Sequence, residues 1–389
     1  MSSYLTRAKE LNADLVADRR SLHQIPEIAS NLPQTVEFVK EKLSGMGITA
    51  MEMGGGLTAV IGDPARGRTI LLRADMDALP VQEQSGEEFS SHNGNMHACG
   101  HDMHTTMLLG AARLLKEREK ELAGAVKLMF QPDEEGSLGA QAMIEAGVLE
   151  APHVEAAMAL HVHPGLEVGQ MLAIPGPSTA SSDIFRITIT GKGCHGATPH
   201  AGVDPISAAA HLLVDLQVLS ARENNCQKPL VLSIGSFHAG FAPNIIPNEA
   251  VLEGTIRTYS PENRAFIRSR LEELVELTAR QFRAQGRLEY LAGNICCLND
   301  PDTTREMIGY MDPIGIRPVE MDRMMVSEDF SLIADKVPAA FFWVGAGGSE
   351  GKYQGGVLHN PTVCFNESLL PLGAASLAQC AHRWLDSHR

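Results

Sequence analysis

Short apolar segments alternate with helical segments between residues 57 and 164 of this 389-residue chain. The apolar segments, which we interpret as strands, are LTAVIG, RTILLRADMD, GAVKLMFQPDEE and EAAMALHVHP, and the helical ones are HTTMLLGAARLLKERE and LGAQAMIEAGVLE. Nearly continuous apolar strands joined by helices are typical of a parallel sheet that is covered on both faces. The sequence therefore predicts an α/β domain with a mostly parallel sheet between helices.

The hydrophobic pattern changes after the turn-rich segment AIPGPSTASSD at residues 173–183. The next elements follow the order β-α-β-β-α-β, which is the order of a ferredoxin-like α+β sandwich. A buried strand, AAFFWVGAGG, and a terminal helix come later and are expected to return to the first sheet. We therefore predict a main domain built from residues 1–182 and 295–389, with a second domain inserted at 183–294.

Composition limits the classes of partner. The chain has 47 acidic and 32 basic residues, a formal net charge of −15, which disfavours nucleic-acid and anionic-membrane surfaces. Seven cysteines without regular spacing indicate a reducing, cytoplasmic location rather than a disulfide framework. The N-terminal residues are charged and predict one helix over about residues 3–23, with no signal peptide. No apolar run approaches the roughly 18 residues that span a bilayer.

The segment MHACGHDMHTT, residues 96–106, is rich in side chains that bind metals. Cys99 and His101 lie just before a helix that we expect to begin near Thr105, and an irregular turn would let both face one ion. Alone, this pair is weak evidence for a metal site, and a buried structural cysteine is the favoured interpretation. Within the same segment, His97 and His104 are predicted to have structural or supporting roles, and the role of Asp102 stays open.

Polar clusters at the ends of three predicted strands favour the metal interpretation. DMD (75–77), DEEG (133–136) and HVHP (161–164) each follow an apolar strand. In open α/β sheets, ligands bind in the crevice outside the carboxyl ends of the strands. A solvated loop explains paired carboxylates and histidines at this edge poorly, so we expect the clusters to meet in one site.

Glu134 and Glu135 admit two interpretations. They can form the acidic first turn of the following helix, where carboxylates suit the helix dipole. Alternatively, one glutamate binds a metal ion while the other takes a proton from water, which is the division of labour in metal-assisted hydrolysis. The neighbouring clusters favour the second interpretation.

Further candidates lie elsewhere in the chain. His161 is a possible ligand and His163 a histidine bonded to backbone, while His359, in VLHNPTVCFNE, belongs to the segment expected to rejoin the first sheet. In the inserted domain, His195 stands between glycines that allow close approach to a ligand. Asn244 and Arg257 are candidate substrate contacts, since an arginine can pair with a substrate carboxylate, although either can equally be ordinary surface residues.

The motifs together resemble a known family. LLRADMDALPVQE, MHACGHDMHT, FQPDEEG, LHVHP, GKGCHGATPH, APNIIPNEA, SEDFS and LHNPTVCFNE occur here in the order found in the metal-dependent aminoacylase and carboxypeptidase family, in its branch of hippurate and indole-acetyl-amino-acid hydrolases. The resemblance extends over about residues 70–367, nearly the whole chain. Jointly the motifs are specific, whereas singly only HACGHD and DEEG are.

The resemblance implies a role for each matching position. Five residues would be the ligands of a two-metal site: Cys99, His101, Glu135, His161 and His359. Glu134 would be the general base, and Asp77 would orient a ligating histidine. His195 would reach the active site of a partner subunit and steady the oxyanion, so the inserted domain would serve as lid and dimer interface of a homodimer.

One departure from the wider family concerns the metals. Most members carry His-x-Asp where this chain has Asp75-Met76-Asp77, and Cys99 with His101 would compensate as in the hippurate-hydrolase branch. Whether Cys99 bridges two ions is open. Thiolate and imidazole favour zinc, nickel or cobalt, whereas the carboxylates suit manganese.

The function implied is hydrolysis of an N-acyl-L-amino acid, such as a hippurate-like substrate, to a carboxylic acid and an amino acid. A dipeptidase or carboxypeptidase with the same two-metal chemistry is the alternative. An inactive metal-binding dimeric scaffold is disfavoured because the base, Glu134, is present.

Overall fold

The computed structural model describes residues 3–389. Its helices are α1 (Ser3–Glu10), α2 (Asn12–His23), α3 (Pro33–Gly45), α4 (His101–Glu117), α5 (Gly139–Glu145), α6 (Pro205–Val218), α7 (Pro261–Gln281), α8 (Pro301–Met311), α9 (Ser331–Ala334) and α10 (Leu370–Ser387). Its strands are β1 (Ala50–Met53), β2 (Gly56–Gly62), β3 (Thr69–Asp75), β4 (Ala125–Gln131), β5 (Ala156–Glu167), β6 (Gln170–Leu172), β7 (Gly176–Thr179), β8 (Ser181–Thr190), β9 (Cys194–His195), β10 (Leu230–Ala239), β11 (Ile245–Ile246), β12 (Glu249–Thr258), β13 (Gln285–Asn294), β14 (Cys297–Asn299), β15 (Arg317–Pro318) and β16 (Ala339–Gly347).

The larger sheet has eight strands in the order β1-β2-β4-β3-β5-β16-β6-β15. The four central strands, β4, β3, β5 and β16, run parallel to one another, and antiparallel pairs occur only towards the two sides. Every residue of β3 and of β4 is buried, so both faces of the central sheet are covered. The predicted α/β fold with a mostly parallel sheet between helices is confirmed.

Strand register brings the polar clusters to one edge of this sheet. Asp75 pairs with Gln131 on β4, and Arg73 pairs with Ala159 on β5, which places Asp75 level with His161. His161 in turn pairs with Trp343 on β16. The strand-end clusters therefore meet at the carboxyl ends of the parallel strands, where the sequence predicted a site.

A second, antiparallel sheet follows the order β10-β12-β8-β13. Its strands and helices occur in the chain as β8-α6-β10-β12-α7-β13, the predicted ferredoxin-like order. Side chains of β8 alternate, so that Phe185, Ile187 and Ile189 pack with α6 and α7 in a separate core. The prediction of an α+β sandwich inside the chain is confirmed.

The chain divides into two compact units. One comprises the residues up to Ser178 with Leu298–Asp322 and Asp329–Arg389, and the other comprises Thr179–Cys297 with Arg323–Glu328. In the second unit the Ala180 N–H donates to the Val326 carbonyl at 2.8 Å, and Arg257 Nη1 donates to the Met325 carbonyl at 2.9 Å. These bonds connect the segment Arg323–Glu328 to the rest of the second unit, whereas the predicted inserted domain comprised residues 183–294 only.

Three local predictions were wrong. The helix expected over residues 3–23 is interrupted at Leu11, whose ψ of 0° departs from helical geometry. Helix α4 begins at His101 rather than near Thr105, because the left-handed Gly100 (φ 89°) immediately starts it. The segment read as turns contains β7, which pairs with β14. No helix within residues 3–389 has both the length and the apolar character to cross a membrane.

Candidate active site

Gly100 shapes the loop that carries Cys99 and His101. Its φ of 89° lies in the left-handed region that favours glycine. A Cβ at this position would lie 2.3 Å from Val162 Cγ2, so any other residue here would require the Val162 side chain to move. The glycine therefore allows the loop to pass close to β5 and to turn at once into α4.

The structure brings the five predicted metal ligands together. The Cys99 Sγ lies 3.5 Å from His161 Nε2 and 3.4 Å from His359 Nε2, although His359 is 260 residues away in sequence. The His359 Nε2 lies 3.3 Å from Glu135 Oε1. Possible ligand atoms of Cys99, His101 and His161 lie within 4.8 Å of one another, and so do those of Cys99, Glu135 and His359. Cys99 belongs to both groups.

These donor atoms fit divalent metal ions. Donors bound to one tetrahedral ion at ordinary N and S distances lie about 3.5 Å apart, which is close to the separations around Cys99. The Nε2 of His101 is buried without a hydrogen-bond partner in the described part of the chain. Such buried polar atoms need a partner, and a cation provides one. That each residue acts as a ligand stays a prediction.

Charge in the site favours a cation. Burial lowers the pKa of His101, but the carboxylates of Asp75 and Asp77 outweigh burial and raise it to about 10. Burial, followed by the charge of Glu135, raises the pKa of the Cys99 thiol well above its usual range. Removal of a proton from this thiol therefore requires a positive charge nearby, which a bound metal supplies.

The hydrogen bonding of His161 leaves one ring nitrogen, Nε2, available for a metal ion. Its Nδ1–H donates to the Val162 carbonyl at 2.8 Å, which leaves the lone pair on Nε2, the atom facing Cys99. Burial is the main cause that lowers the pKa of His161 well below its usual range. The neutral imidazole is the form that coordinates metals.

Asp77 connects the two polar loops. Its Oδ1 and Oδ2 accept hydrogen bonds from the backbone N–H groups of Glu134 and Glu135, each at 3.1 Å. The same Oδ1 lies 3.3 Å from His101 Nδ1, as expected for a carboxylate that orients a ligating histidine. Asp77 therefore holds the glutamate turn in place beside His101.

The glutamate turn has constrained backbone geometry. Asp133, just before Glu134, has a φ of 51°, and its carboxylate accepts from Ser30 Oγ at 2.7 Å. Glu134 is buried, and possible ligand atoms of Glu134, His101 and Glu135 lie within 4.8 Å of one another. Left-handed backbone at a non-glycine residue is often found at functional sites. This geometry places a buried carboxylate directly beside the metal-binding groups.

Below this site lies a buried ionic cluster that the sequence reasoning missed. Arg73 donates to Asp75 Oδ2 at 2.7 Å, to Asp329 Oδ1 at 3.0 Å and to Gln131 Oε1 at 2.9 Å. Asp329 also accepts from the Ala140 N–H at 2.9 Å. A charged residue inside the apolar strand LLRAD is the signal that predicts such a cluster, because buried arginines are nearly always paired.

Asp102, whose role the sequence left open, lies in another buried cluster. Arg19 Nε donates to Asp102 Oδ2 at 2.7 Å, and His23 Nδ1 lies 2.7 Å from the same oxygen. His23 Nε2 faces Glu83 at 3.1 Å. These contacts tie helix α2 to the start of α4, so Asp102 positions helices rather than a metal. His163 accepts from the Gly165 N–H, as predicted for a histidine bonded to backbone.

The candidate residues of the inserted unit form one small group and one separate residue. His195 is exposed on β9, where it pairs with Ile245 of β11, and the Gly196 N–H donates to the Asn244 carbonyl at 2.8 Å. His195 and Asn244 are thus neighbours. Arg257 is partly buried on β12, and its Nη1 is bonded to the Met325 carbonyl. The roles of these three residues stay predictions.

The fold and the site together define a class of protein. A mostly parallel α/β sheet whose strand ends bring a thiol, imidazoles and paired carboxylates together is an arrangement suited to metal-assisted hydrolysis. The chain belongs to peptidase family M20/M25/M40, whose model matches residues 71–383.

Individual relatives agree with this membership. The chain is 35% identical to the N-acetyl-L-cysteine deacetylase of Bacillus subtilis, over 97% of this chain and 90% of the relative. It is 38% identical to the IAA-amino acid hydrolase ILR1-like 4 of Arabidopsis thaliana, over 99% and 89%. A solved Bacillus subtilis structure, described as a dinuclear metal binding peptidase of the M20 family, has a TM-score of 0.85 at 32% identity, covering 97% of this chain and 99% of that chain.

Proposed function

We propose that this protein hydrolyses the amide bond of an N-acyl-L-amino acid and releases a carboxylic acid and an amino acid. A hippurate-like or related acyl amino acid is the proposed substrate. The observation that carries the proposal is the placement of the buried Glu134 beside two potential ligand groups that share Cys99. The names of two relatives, a deacetylase and an IAA-amino acid hydrolase, support the same substrate class.

The residues fit the chemistry of amide hydrolysis. Divalent ions, when bound, supply Lewis acidity that draws electrons from the scissile carbonyl and makes water a stronger acid. Glu134 takes the proton from the attacking water and delivers it to the leaving nitrogen as the C–N bond breaks. Asp77 keeps Glu134 and His101 in register through its two carboxylate oxygens.

Peptide hydrolysis is the second candidate function. It is favoured by the similarity to the Bacillus subtilis structure described as a peptidase. The same base and ligands serve both reactions, so the two functions differ only in the group that precedes the amide carbonyl. In the first class of substrate the acyl group has no α-amino group, and in the second class it is an aminoacyl group with a free α-amino group.

A substrate panel separates the two functions. Apo-protein reconstituted with Zn, Mn, Co or Ni is assayed on N-acetyl, N-benzoyl and indole-acetyl amino acids, with free dipeptides and N-blocked dipeptides alongside, and amino-acid release is measured. We expect hydrolysis of at least one N-acyl amino acid in a metal-dependent manner, with free dipeptides resistant. Cleavage restricted to peptides would replace the proposal by the second candidate, and no cleavage with any metal would contradict both.

We also propose that the protein works as a homodimer through the inserted unit, with His195 acting in the partner's site. Two features of that unit support a second copy as the partner. Strand β10 lies at the edge of the antiparallel sheet, which leaves backbone groups available for pairing. The unit also exposes apolar side chains, namely Val214, Phe237, Phe241 and Ile245.

Mixing two inactive variants tests this arrangement. His195→Ala and Glu134→Gln proteins are each expected to be nearly inactive, but heterodimers carry one site with both residues intact and should regain up to about a quarter to half of wild-type activity. Tagged subunits allow the heterodimer to be purified and its activity measured. A heterodimer that stays inactive despite proven subunit exchange would mean that His195 acts within its own chain.

A further inference from the structure

His104 uses both of its ring nitrogens in hydrogen bonds and is therefore not a ligand, although it lies beside two of the predicted ligands, His101 and His161. Its Nε2 accepts from the Val162 N–H at 2.8 Å. A backbone amide can only donate, so Nε2 carries the lone pair and the proton resides on Nδ1. That Nδ1–H donates to Asp75 Oδ1 at 2.5 Å. The contacts thus define one tautomer of a fully buried ring.

Asp75 is itself fixed from the opposite side. Its second oxygen, Oδ2, accepts from Arg73 Nη1 at 2.7 Å. One oxygen of Asp75 thus faces Arg73 and the other faces His104 Nδ1, which agrees with the tautomer that carries the proton on Nδ1.

The bond from Val162 to His104 acts on His161. The Val162 N–H that His104 accepts belongs to the peptide joining His161 to Val162, and the Val162 carbonyl, which is part of the next peptide, accepts the His161 Nδ1–H. The His104 ring also packs against the His161 ring, with centroids 4.4 Å apart. The Trp343 ring packs against the His161 ring at the same centroid distance of 4.4 Å. His104 therefore holds the backbone of Val162, whose carbonyl orients His161, and it also contacts the His161 ring.

We propose that His104, kept in one tautomer by Asp75, is a positioning residue that directs the Nε2 lone pair of His161 and so sets the affinity for one of two metal ions. That ion is the one held by Cys99, His101 and His161. The second group, Cys99, Glu135 and His359, has no ligand that depends on His104. The inference rests on the two-metal site of the proposed function.

Three substitutions at His104 test its two hydrogen bonds, to Val162 and to Asp75, independently. The glutamine of His104→Gln is long enough to keep an acceptor near the Val162 N–H, whereas the shorter asparagine of His104→Asn keeps only a donor for Asp75. The His104→Phe variant keeps the ring volume and neither bond. The matched control is His97→Phe, since His97 is equally buried and both of its ring nitrogens are without hydrogen-bond partners among residues 3–389.

Metal binding is measured rather than activity alone. Apo-proteins are titrated with Co²⁺, and the two dissociation constants follow from the visible absorption spectrum and from competition with a chelator. We expect His104→Phe and His104→Asn to raise the Kd of one ion by about 10- to 100-fold and to change its cobalt spectrum, with the other Kd altered less than about threefold. His104→Gln and His97→Phe should stay within about threefold of wild type for both ions.

Several results would overturn the inference. They are an unchanged Kd in His104→Phe, an equal rise for both ions, or an equal loss in His97→Phe. Wild-type protein that binds no metal would instead contradict the proposed function itself. If His104→Phe does not fold, the ¹⁵N chemical shifts of the histidine rings in labelled wild-type protein test the inference. The signal of His104 is the one that is absent from the His104→Gln spectrum, and we expect it to show an Nδ1–H tautomer. An Nε2–H tautomer there would overturn the inference.

Discussion

The Glu134→Gln variant is expected to lose about 10²- to 10⁴-fold in kcat, because glutamine cannot take a proton from the attacking water. The substitution preserves shape, and the backbone N–H of residue 134 can still donate to Asp77. Metal stoichiometry and thermal stability should therefore match those of the wild-type protein. Steady-state kinetics on the N-acyl amino acid that the panel identifies, with metal analysis of the same sample, measure the effect.

The neighbouring glutamate provides the matched control. Glu135→Gln makes the same chemical change one residue further along, at a predicted ligand whose Oε1 faces His359. Its main effect should be a weaker affinity for metal, so that part of its activity returns at high metal concentration. A Glu134→Gln protein that keeps its metal and its full hydrolytic rate would show that another group is the base.

Removal of Arg73 is expected to lower the free energy of unfolding by about 3–5 kcal/mol. Arg73 is 1% exposed and is the cation between the carboxylates of Asp75 and Asp329, both fully buried. The Arg73→Met variant keeps an apolar side chain in the strand but removes the arginine that lies between the two buried carboxylates, so their negative charges lose this cation. Urea denaturation followed by circular dichroism measures the change.

An exposed arginine serves as the control. Arg113 pairs with Asp14 at 2.9 Å, but both side chains are well exposed to solvent. Arg113→Met should therefore alter the free energy of unfolding by less than about 1 kcal/mol. If Arg73→Met were as stable as Arg113→Met, the buried cluster would contribute no more than a surface ion pair.

The local pattern of the sequence was sufficient for most of the fold. Strand β3 and helix α4 were predicted because apolar spacing is a local property, and the order β8-α6-β10-β12-α7-β13 was readable in the same way. The short strands β1, β6 and β15 were not predicted. Strands of two to four residues carry too little periodicity, and their hydrogen bonds to neighbouring strands define them.

The candidate site was predicted in part. Polar residues behind apolar strands pointed to one sheet edge, and Cys99, His101 and His161 do lie together there. His359 was placed through its motif, since no local signal relates it to a cysteine 260 residues away. The supporting contacts of His104 were not predicted, because a histidine on a helix looks the same in sequence whichever group it bonds.

The sequence by itself determined the α/β class, the inserted sandwich and the residue types gathered at the strand ends, since each follows from local spacing and from the parallel order of the strands. Only the tertiary structure decided which partners satisfy the buried polar groups. Arg73 meets Asp329 across 256 residues, and the proton of His104 resides on Nδ1 because Val162 and Asp75 leave it no other place. Buried charges and lone pairs take the partners that folding brings within reach, and those contacts are non-local.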